Sequence, residues 1–258
     1  MVGQSKSSIN LKGSIGLKAI ILVVIVALAH QFYIMEFPDD EEMTIATFSY
    51  SISSLVAGIA AFVVAKRYWG SEVFGKTYLS LAIAFFFIVA GDLTYIYYDW
   101  FTDEAPYPSI ADVFFLLFYP FAAFHLVKNI KYFKKDLSWA RKIGVPILAG
   151  MFVAFFAFMS IDLIEEEPFD FYFGLLFVLA SAVILALAIL GAAVFQDSVL
   201  GQAWLLLAGG IFIFTVADVW YYYLEVVGEY TGEHWVNTLW VLGNALIIFA
   251  LYKHKKTI

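Results

Sequence analysis

The sequence predicts an all-α polytopic membrane protein, and three observations carry that prediction. Of its 258 residues, 63% are hydrophobic and only 14% are charged, against about 45–50% and about 25% in an average soluble domain. Apolar runs of roughly 20 residues, long enough to cross a bilayer core, recur along the chain. The basic residues gather in alternate connections between those runs. This pattern excludes an ordinary soluble enzyme and a disordered chain. With a net charge of −7, it also excludes a nucleic-acid binder.

The apolar runs predict eight transmembrane helices. Segments such as "GLLFVLASAVILALAILGAAVF" are apolar on every side, whereas the strands of a membrane barrel alternate polar and apolar residues. The predicted spans cover residues 15–35, 45–66, 77–99, 109–131, 143–163, 170–195, 203–225 and 234–253.

The connections between the spans predict the orientation. All 15 lysines and arginines fall on one side of the eight-span arrangement. The other side carries acidic segments, such as "EFPDDEE" after span 1 and "IEEEPFD" after span 5. The positive-inside rule then places both termini in the cytoplasm and the chain in the cell membrane as a multi-pass protein.

Residues 19–29 permit a second interpretation of the N-terminus. They resemble the core of a signal peptide, with "ALA" at 27–29 as a cleavage site. Cleavage would leave seven spans. An internal repeat favours eight, because it gives span 1 a partner in span 5.

That repeat relates residues 75–99 to residues 201–225 without a gap. Asp92 matches Asp218, and Gly75 matches Gly201. With one residue slipped in the following loop, Asp112 also matches Asn237. The chain is therefore predicted to be a tandem pair of four-span units, 1–135 and 136–258. A pseudo-twofold axis along the membrane normal would relate them.

Polar residues at helical spacing predict a cluster in the outer half of spans 3, 4, 7 and 8. Charged groups inside a span usually face protein or water, so the cluster is a candidate site for a small ligand or cation. A structural hydrogen-bond network between helices is the alternative. The candidate residues are Asp92, Tyr95, Asp99, Asp112, Tyr119, Asp218, Tyr221, Tyr222, Glu225, Asn237 and Asn244.

The four histidines give only a weak metal signal. His30 and His125 are predicted at opposite depths of the bilayer, so they cannot ligate one ion together. His254 is assigned to a basic tail after span 8. His234 lies near Glu229 and Glu233 in the sequence, which makes this group a weak metal candidate and a solvated rim the alternative.

Other chemistry is excluded by missing residue types. The chain contains no cysteine, which removes thiolate ligands and cysteine nucleophiles. No lysine lies in a span core to form a retinal Schiff base, and no hydrolase or P-loop motif occurs. We therefore expect no identifiable cofactor and no enzymatic activity. The Gly209–Gly210 pair predicts close helix packing.

The stretch "GDLTYIYYDWFTDEAPYPSIADVFFLLFYPFAAFHL" resembles polytopic sensor domains found at the N-terminus of some bacterial and archaeal histidine kinases and diguanylate cyclases. The similarity covers about 40 residues, with a degenerate echo in 212–251. It consists of an Asp and aromatic residues ending one span, then Pro-Ser-x-Ala-Asp opening the next. These residues are Asp92, Tyr95, Pro108, Ser109, Ala111, Asp112, Tyr119 and Pro120.

The resemblance implies a shared membrane module with a sensory role. Only a few residues follow span 8, so we expect no kinase or cyclase output domain. The first hypothesis is a stand-alone binding or sensory module that signals to a membrane or cytoplasmic protein partner. The second is a small transporter or ion-conducting protein using Asp92 and Asp218 as coupling acids. Its weakness is that the inner halves of spans 3 and 7 are nearly free of polar groups. The third is a non-catalytic accessory subunit of a larger membrane complex.

Overall fold

The computed structural model describes residues 17–36, 42–102, 107–133 and 138–257. Within these residues all regular structure is helical. The helices are α1 (Leu17–Ile34), α2 (Glu42–Arg67), α3 (Phe74–Phe101), α4 (Ile110–Tyr132), α5 (Trp139–Ser160), α6 (Pro168–Phe195), α7 (Gly201–Val227) and α8 (Val236–Thr257).

Each predicted span corresponds to one helix, and seven of the helices are long and apolar enough to cross a membrane. The shorter one is α1, whose 18 residues extend over about 27 Å at 1.5 Å per residue. Two boundaries differ from the prediction by a helical turn. Helix α5 begins at Trp139 rather than at 143, and α8 ends at Thr257 rather than at 253. These findings define a multi-pass membrane architecture.

Short connections join successive helices, which therefore run antiparallel. One end of the bundle, here the acidic end, carries Glu165, Glu166, Glu167, Asp170, Glu229 and Glu233. The other, here the basic end, carries Lys66, Arg67, Lys76, Lys128, Lys131, Lys253, Lys255 and Lys256. The acidic segments at 37–41 and 103–106, and the basic residues before 17 and within 134–137, lie outside the described residues.

Local capping chemistry sets several helix ends. The Ser109 hydroxyl accepts a hydrogen bond from the Ala111 N–H, and the Asp112 carboxylate accepts one from the Ser109 N–H at 2.8 Å. This reciprocal pair satisfies backbone donors at the start of α4. Gly228 ends α7 with a positive φ of 69°, a conformation that a glycine adopts without steric cost.

Six of the helices close into a ring. Helix α2 packs on α3, α3 on α4, α4 on α6, α6 on α7, α7 on α8, and α8 returns to α2. The two remaining helices lie outside the ring, α1 against α8 and α2, and α5 against α6 and α7. One hydrophobic core runs through the ring and draws on all six helices. The halves 1–135 and 136–258 therefore share a single core.

A layer of aromatic and imidazole rings closes the inside of the ring toward the basic end. Trp204 of α7 stacks on Phe195 of α6, with ring centroids 4.5 Å apart, and on His125 of α4 at 5.7 Å. Tyr78 of α3 contacts His125 at 4.6 Å and His254 of α8 at 4.7 Å. We call these five residues the aromatic layer. His254 is only 1% exposed, so its assignment to a basic tail was wrong.

Candidate functional site

The ring encloses a cavity at its acidic end. Its volume is about 80 Å³, measured as the space open to the centres of water molecules. Five ring helices and the α7–α8 connection supply polar groups to its wall. The acids that line it are Asp92, Asp112 and Asp218, and the aromatic residues are Tyr50, Tyr95, Phe115, Tyr119, Phe177, Phe214, Tyr221, Tyr222, Tyr230 and Trp240.

Asp218 of α7 is held by hydrogen-bond donors from three other helices. Its Oδ1 accepts from the Trp240 Nε1–H at 3.0 Å. Its Oδ2 accepts from the Ser181 hydroxyl and, at 3.5 Å, from the Tyr119 hydroxyl. The carboxyl group is 5% exposed and ties α4, α6, α7 and α8 together. This arrangement is the structural network that the sequence left as one alternative.

Asp92 of α3 matches Asp218 in the sequence repeat but has a different environment. The side chain is 2% exposed and lies beside Ser51 of α2. Its buried Oδ2 has no hydrogen-bond partner among the described residues. A buried carboxylate oxygen without a donor is costly, so Asp92 is the acid in this cavity whose hydrogen-bonding capacity is not filled within the described residues.

Asp112, the third acid of the cavity wall, is committed to the cap of α4, where its Oδ2 accepts the Ser109 N–H. It therefore adds negative charge to the cavity while also defining the start of a helix.

Edge-to-face aromatic contacts form one wall of the cavity. The Trp240 ring meets Tyr50 and Tyr221, each at a centroid distance of 5.2 Å, and Tyr221 meets Tyr230 at 4.7 Å. Burial raises the pKa of Tyr230 well above its usual value, so its hydroxyl stays protonated and donates to Asn237 Oδ1 at 2.7 Å. Aromatic rings of this wall lie next to a carboxyl group. Aromatic rings attract organic cations through cation–π interactions, and a carboxylate attracts them by its charge.

The two asparagines predicted for the site do not line the cavity. Asn237 donates from Nδ2 to the Gly232 carbonyl at 2.7 Å and so fixes the α7–α8 connection. Asn244 donates to the hydroxyls of Ser53 and Ser54, at 2.8 and 3.0 Å, and joins α8 to α2. Both side chains therefore position helices that build the cavity.

Tyr95, Tyr119, Tyr221 and Tyr222 line the cavity as the sequence predicted, whereas two acids of the same helical stripes do not. Asp99 is exposed beyond the cavity at the end of α3. Glu225 is half-buried one turn beyond Tyr221 and lies next to its side chain.

The weak metal candidate does not assemble. Among the described residues, no group of three or more histidines and acids is placed to hold a metal ion. His234 Nδ1 instead accepts a hydrogen bond from the Val236 N–H at 3.2 Å, and Glu229 and Glu233 are exposed. These residues form a rim around the start of α8.

Sequence reasoning missed Ser181 and Tyr50. Ser181 is an isolated hydroxyl in the most apolar helix, a pattern that also fits simple helix packing. Tyr50 lies near the start of α2, where the sequence places a tyrosine as readily in an interfacial belt. The position of Ser181 within an otherwise apolar span was the signal that could have pointed to it.

No protein-family model, curated protein or solved structure matches the chain.

Proposed function

We propose that the protein is an integral membrane binding and sensory module that takes up a small organic cation in the cavity beside Asp92. The observation that carries this proposal is the unpartnered Asp92 Oδ2 within an aromatic wall. A carboxylate supplies charge, and the faces of Trp and Tyr attract an ammonium group further.

The proposed topology has eight spans, with both termini in the cytoplasm. The separation of basic and acidic residues between the two ends supports it. Lys128, Lys253 and Lys256 of the basic end lie 5.5–5.8 Å from the centroids of aromatic rings one turn earlier in their helices. Such pairs suit the interface of a membrane, where a lysine stem covers apolar surface and its ammonium stays in water. The cavity would then face the outside.

The proposed 4+4 repeat is supported by the helix order in the ring. Exchanging α2 with α6, α3 with α7, and α4 with α8 leaves the sequence of neighbours in the ring unchanged. Gly75 and Gly201 also share an environment. A Cβ on Gly75 would lie 2.7 Å from the Tyr68 carbonyl oxygen, and a Cβ on Gly201 would lie 2.7 Å from the Gln196 carbonyl oxygen. The outer helices do not follow the repeat. Helix α1 packs mainly on α8, so its counterpart α5 would be expected on α4, but α5 packs mainly on α6.

The sensory part of the proposal rests on the resemblance of the α3–α4 segment to polytopic sensor domains. Of the eight residues that carry that resemblance, four line the cavity: Asp92, Tyr95, Asp112 and Tyr119. Ligand binding there would change the packing of α3 against α4 and so reach the basic end. A membrane or cytoplasmic protein partner would receive the signal at that end.

Binding of methylammonium and tetramethylammonium to the purified protein tests the ligand class. Trp240 lines the cavity, so its fluorescence is expected to change on titration. Very small ligands gain at most about 1.5 kcal/mol of binding free energy per heavy atom, so methylammonium, with two, is expected to bind no more tightly than the millimolar range. Asp92→Asn is expected to weaken methylammonium binding at least tenfold, since a hydrogen bond to a charged group contributes about 1.5–3 kcal/mol. Tetramethylammonium has no N–H to donate, so its binding reports on the charge and the aromatic wall alone.

Asp162→Asn provides the matched control, because Asp162 is an exposed acid at the same end, outside the cavity. It is expected to bind both probes as the wild type does, and tert-butanol, which is uncharged, is expected not to compete. Absence of probe binding to the wild type, or equal binding by Asp92→Asn, would overturn the proposed function.

Single-cysteine labelling tests the topology, and the natural chain has no cysteine to interfere. Glu229→Cys at the acidic end and Glu72→Cys at the basic end are both exposed positions. In intact cells a membrane-impermeant maleimide is expected to label only the cysteine at position 229. Labelling at 72 but not at 229 would reverse the proposed orientation.

Solute transport receives less support, because the aromatic layer fills the ring between the cavity and the basic end. Passage of a solute would require these stacked rings to separate. No observation specifically favours an accessory-subunit role.

A further inference from the structure

A second, smaller cavity lies in the ring between the Asp92 cavity and the aromatic layer. Its volume is about 20 Å³ on the same measure, and about 10–15 Å³ is enough to hold one water molecule. The wall is apolar except for three side chains, Tyr119, Ser181 and His125. A buried water needs two to four polar partners, and these three residues supply them.

His125 is the member of this group that lacks a partner. It is 0% exposed, and neither ring nitrogen reaches hydrogen-bond geometry with a described residue, although the Thr77 backbone lies beside the ring. Trp204 lies almost parallel to the imidazole, with 7° between the planes, and Tyr78 contacts it at 60°. These rings fix the plane of the imidazole, so one water in the cavity is well placed to satisfy a nitrogen.

Tyr119 and Ser181 connect this cavity to Asp218. Both hydroxyls donate to Asp218 Oδ2, and they lie 3.1 Å from each other. Both also line the smaller cavity. One water in this cavity would link one of these hydroxyls, and through it Asp218, to His125. Tyr119 and His125 are six residues apart on α4, or about 9 Å along the helix axis.

We propose that Asp218, Ser181, Tyr119 and His125 form a proton relay through the middle of the bundle. A protonated Asp218 passes its proton to the Ser181 hydroxyl oxygen, Ser181 passes its own proton to the water, and the water protonates His125. Asp218 ends as a carboxylate and His125 as an imidazolium, with the hydroxyl and the water restored.

Toward the basic end, the His125 imidazolium would pass a proton to the Tyr78 hydroxyl oxygen, and the proton of that hydroxyl would pass to His254. Neither hydrogen bond is formed within the described residues, so this step requires both imidazoles to rotate toward Tyr78. The Tyr78 ring contacts both imidazoles, and His254 lies in the last turn of α8 with neither nitrogen bonded within the described chain. The other titratable group at this point is Tyr68 of the α2–α3 turn, which contacts His254. None of the side chains lining the smaller cavity carries a fixed charge. The aromatic layer thus blocks solutes while its imidazoles carry protons, an activity separate from ligand binding at Asp92.

Proton flux into liposomes tests the relay. The full-length protein is reconstituted with a pH-sensitive dye inside, and a potassium diffusion potential set by valinomycin drives proton entry. The wild type is expected to exceed protein-free liposomes, and His125→Phe is expected to lower the protein-dependent flux at least tenfold. His125→Gln serves as a second variant, because glutamine bonds to water but cannot become a protonated imidazolium carrier.

Two variants outside the route control for general effects of substitution. His234→Gln changes a histidine at the acidic end, and Tyr132→Phe removes an exposed hydroxyl at the basic end. Both are expected to conduct like the wild type. No protein-dependent flux in the wild type would overturn the relay, as would undiminished flux in either folded His125 variant. Methylammonium binding is measured separately, so failure of the relay is distinguishable from failure of the proposed ligand site.

Discussion

Asp218→Ala is expected to lower the free energy of unfolding by about 2–5 kcal/mol. The substitution leaves three interhelical donors, on Ser181, Tyr119 and Trp240, without their acceptor. In helical membrane proteins an interhelical hydrogen bond contributes about 0.6 kcal/mol on average and up to about 1.7. The loss of three such bonds gives the stated range. The measurement is unfolding by sodium dodecyl sulfate in mixed micelles, followed by circular dichroism.

Asp92→Ala is the matched comparison, because the sequence repeat makes the two acids equivalent. Asp92 has a buried oxygen with no donor in the described structure, so its removal also removes a desolvation cost. We expect its effect on stability to be less than half that of Asp218→Ala. Equal destabilisation by the two substitutions would contradict the different roles assigned to these acids.

Gly210→Leu is expected to destabilise the protein by about 3 kcal/mol, the upper part of the range for overpacking. A Cβ at this position would lie 2.8 Å from the Gly243 carbonyl oxygen and 3.1 Å from the Ile247 amide nitrogen. These are backbone atoms of α8, so the contact can be relieved only by moving α8 away from α7. The same micelle unfolding assay measures the effect.

The neighbouring Gly209 provides a control one residue away. A Cβ there meets no described atom within 4 Å, and leucine has a higher helix propensity than glycine by up to about 1 kcal/mol. Gly209→Leu is expected to leave stability unchanged or to raise it slightly. A similar loss of stability in both variants would show that the α7–α8 contact does not require a glycine at position 210. The sequence predicted close packing for the pair, and the structure gives that role to Gly210.

Much of the candidate site was predictable because helical spacing follows directly from the sequence. Asp92 and Tyr95 lie three residues apart on α3, and Asp218 and Tyr221 repeat that spacing on α7. All four line the cavity. The same rule also selected Asp99 and Glu225, which lie on the same faces beyond the cavity. Helix periodicity gives the face on which a residue lies, but it does not show where along the bundle a cavity ends.

The sequence argued against transport because spans 3 and 7 have few polar groups toward the basic end. The arrangement of the helices in the ring changes that argument. The basic halves of α3 and α7 contain few polar groups, as the sequence indicates. The polar groups at that depth come instead from α4 and α8, as His125 and His254. Their common location follows from α4 packing on α6 and α3, and α8 on α2 and α7, which no single span specifies.

The sequence by itself determined the membrane-helical architecture, nearly all helix boundaries to within three residues, and the separation of charge between the two ends. These properties depend on apolar run length and local composition, which act within one helix or one connection. Only the tertiary structure decided that Asp218 is bonded to other helices while Asp92 keeps a free oxygen, and that His125 and His254 are buried in one layer. Those outcomes depend on which helices become neighbours and how each is rotated. Contacts between distant residues, such as Gly210 with Gly243, fix that arrangement.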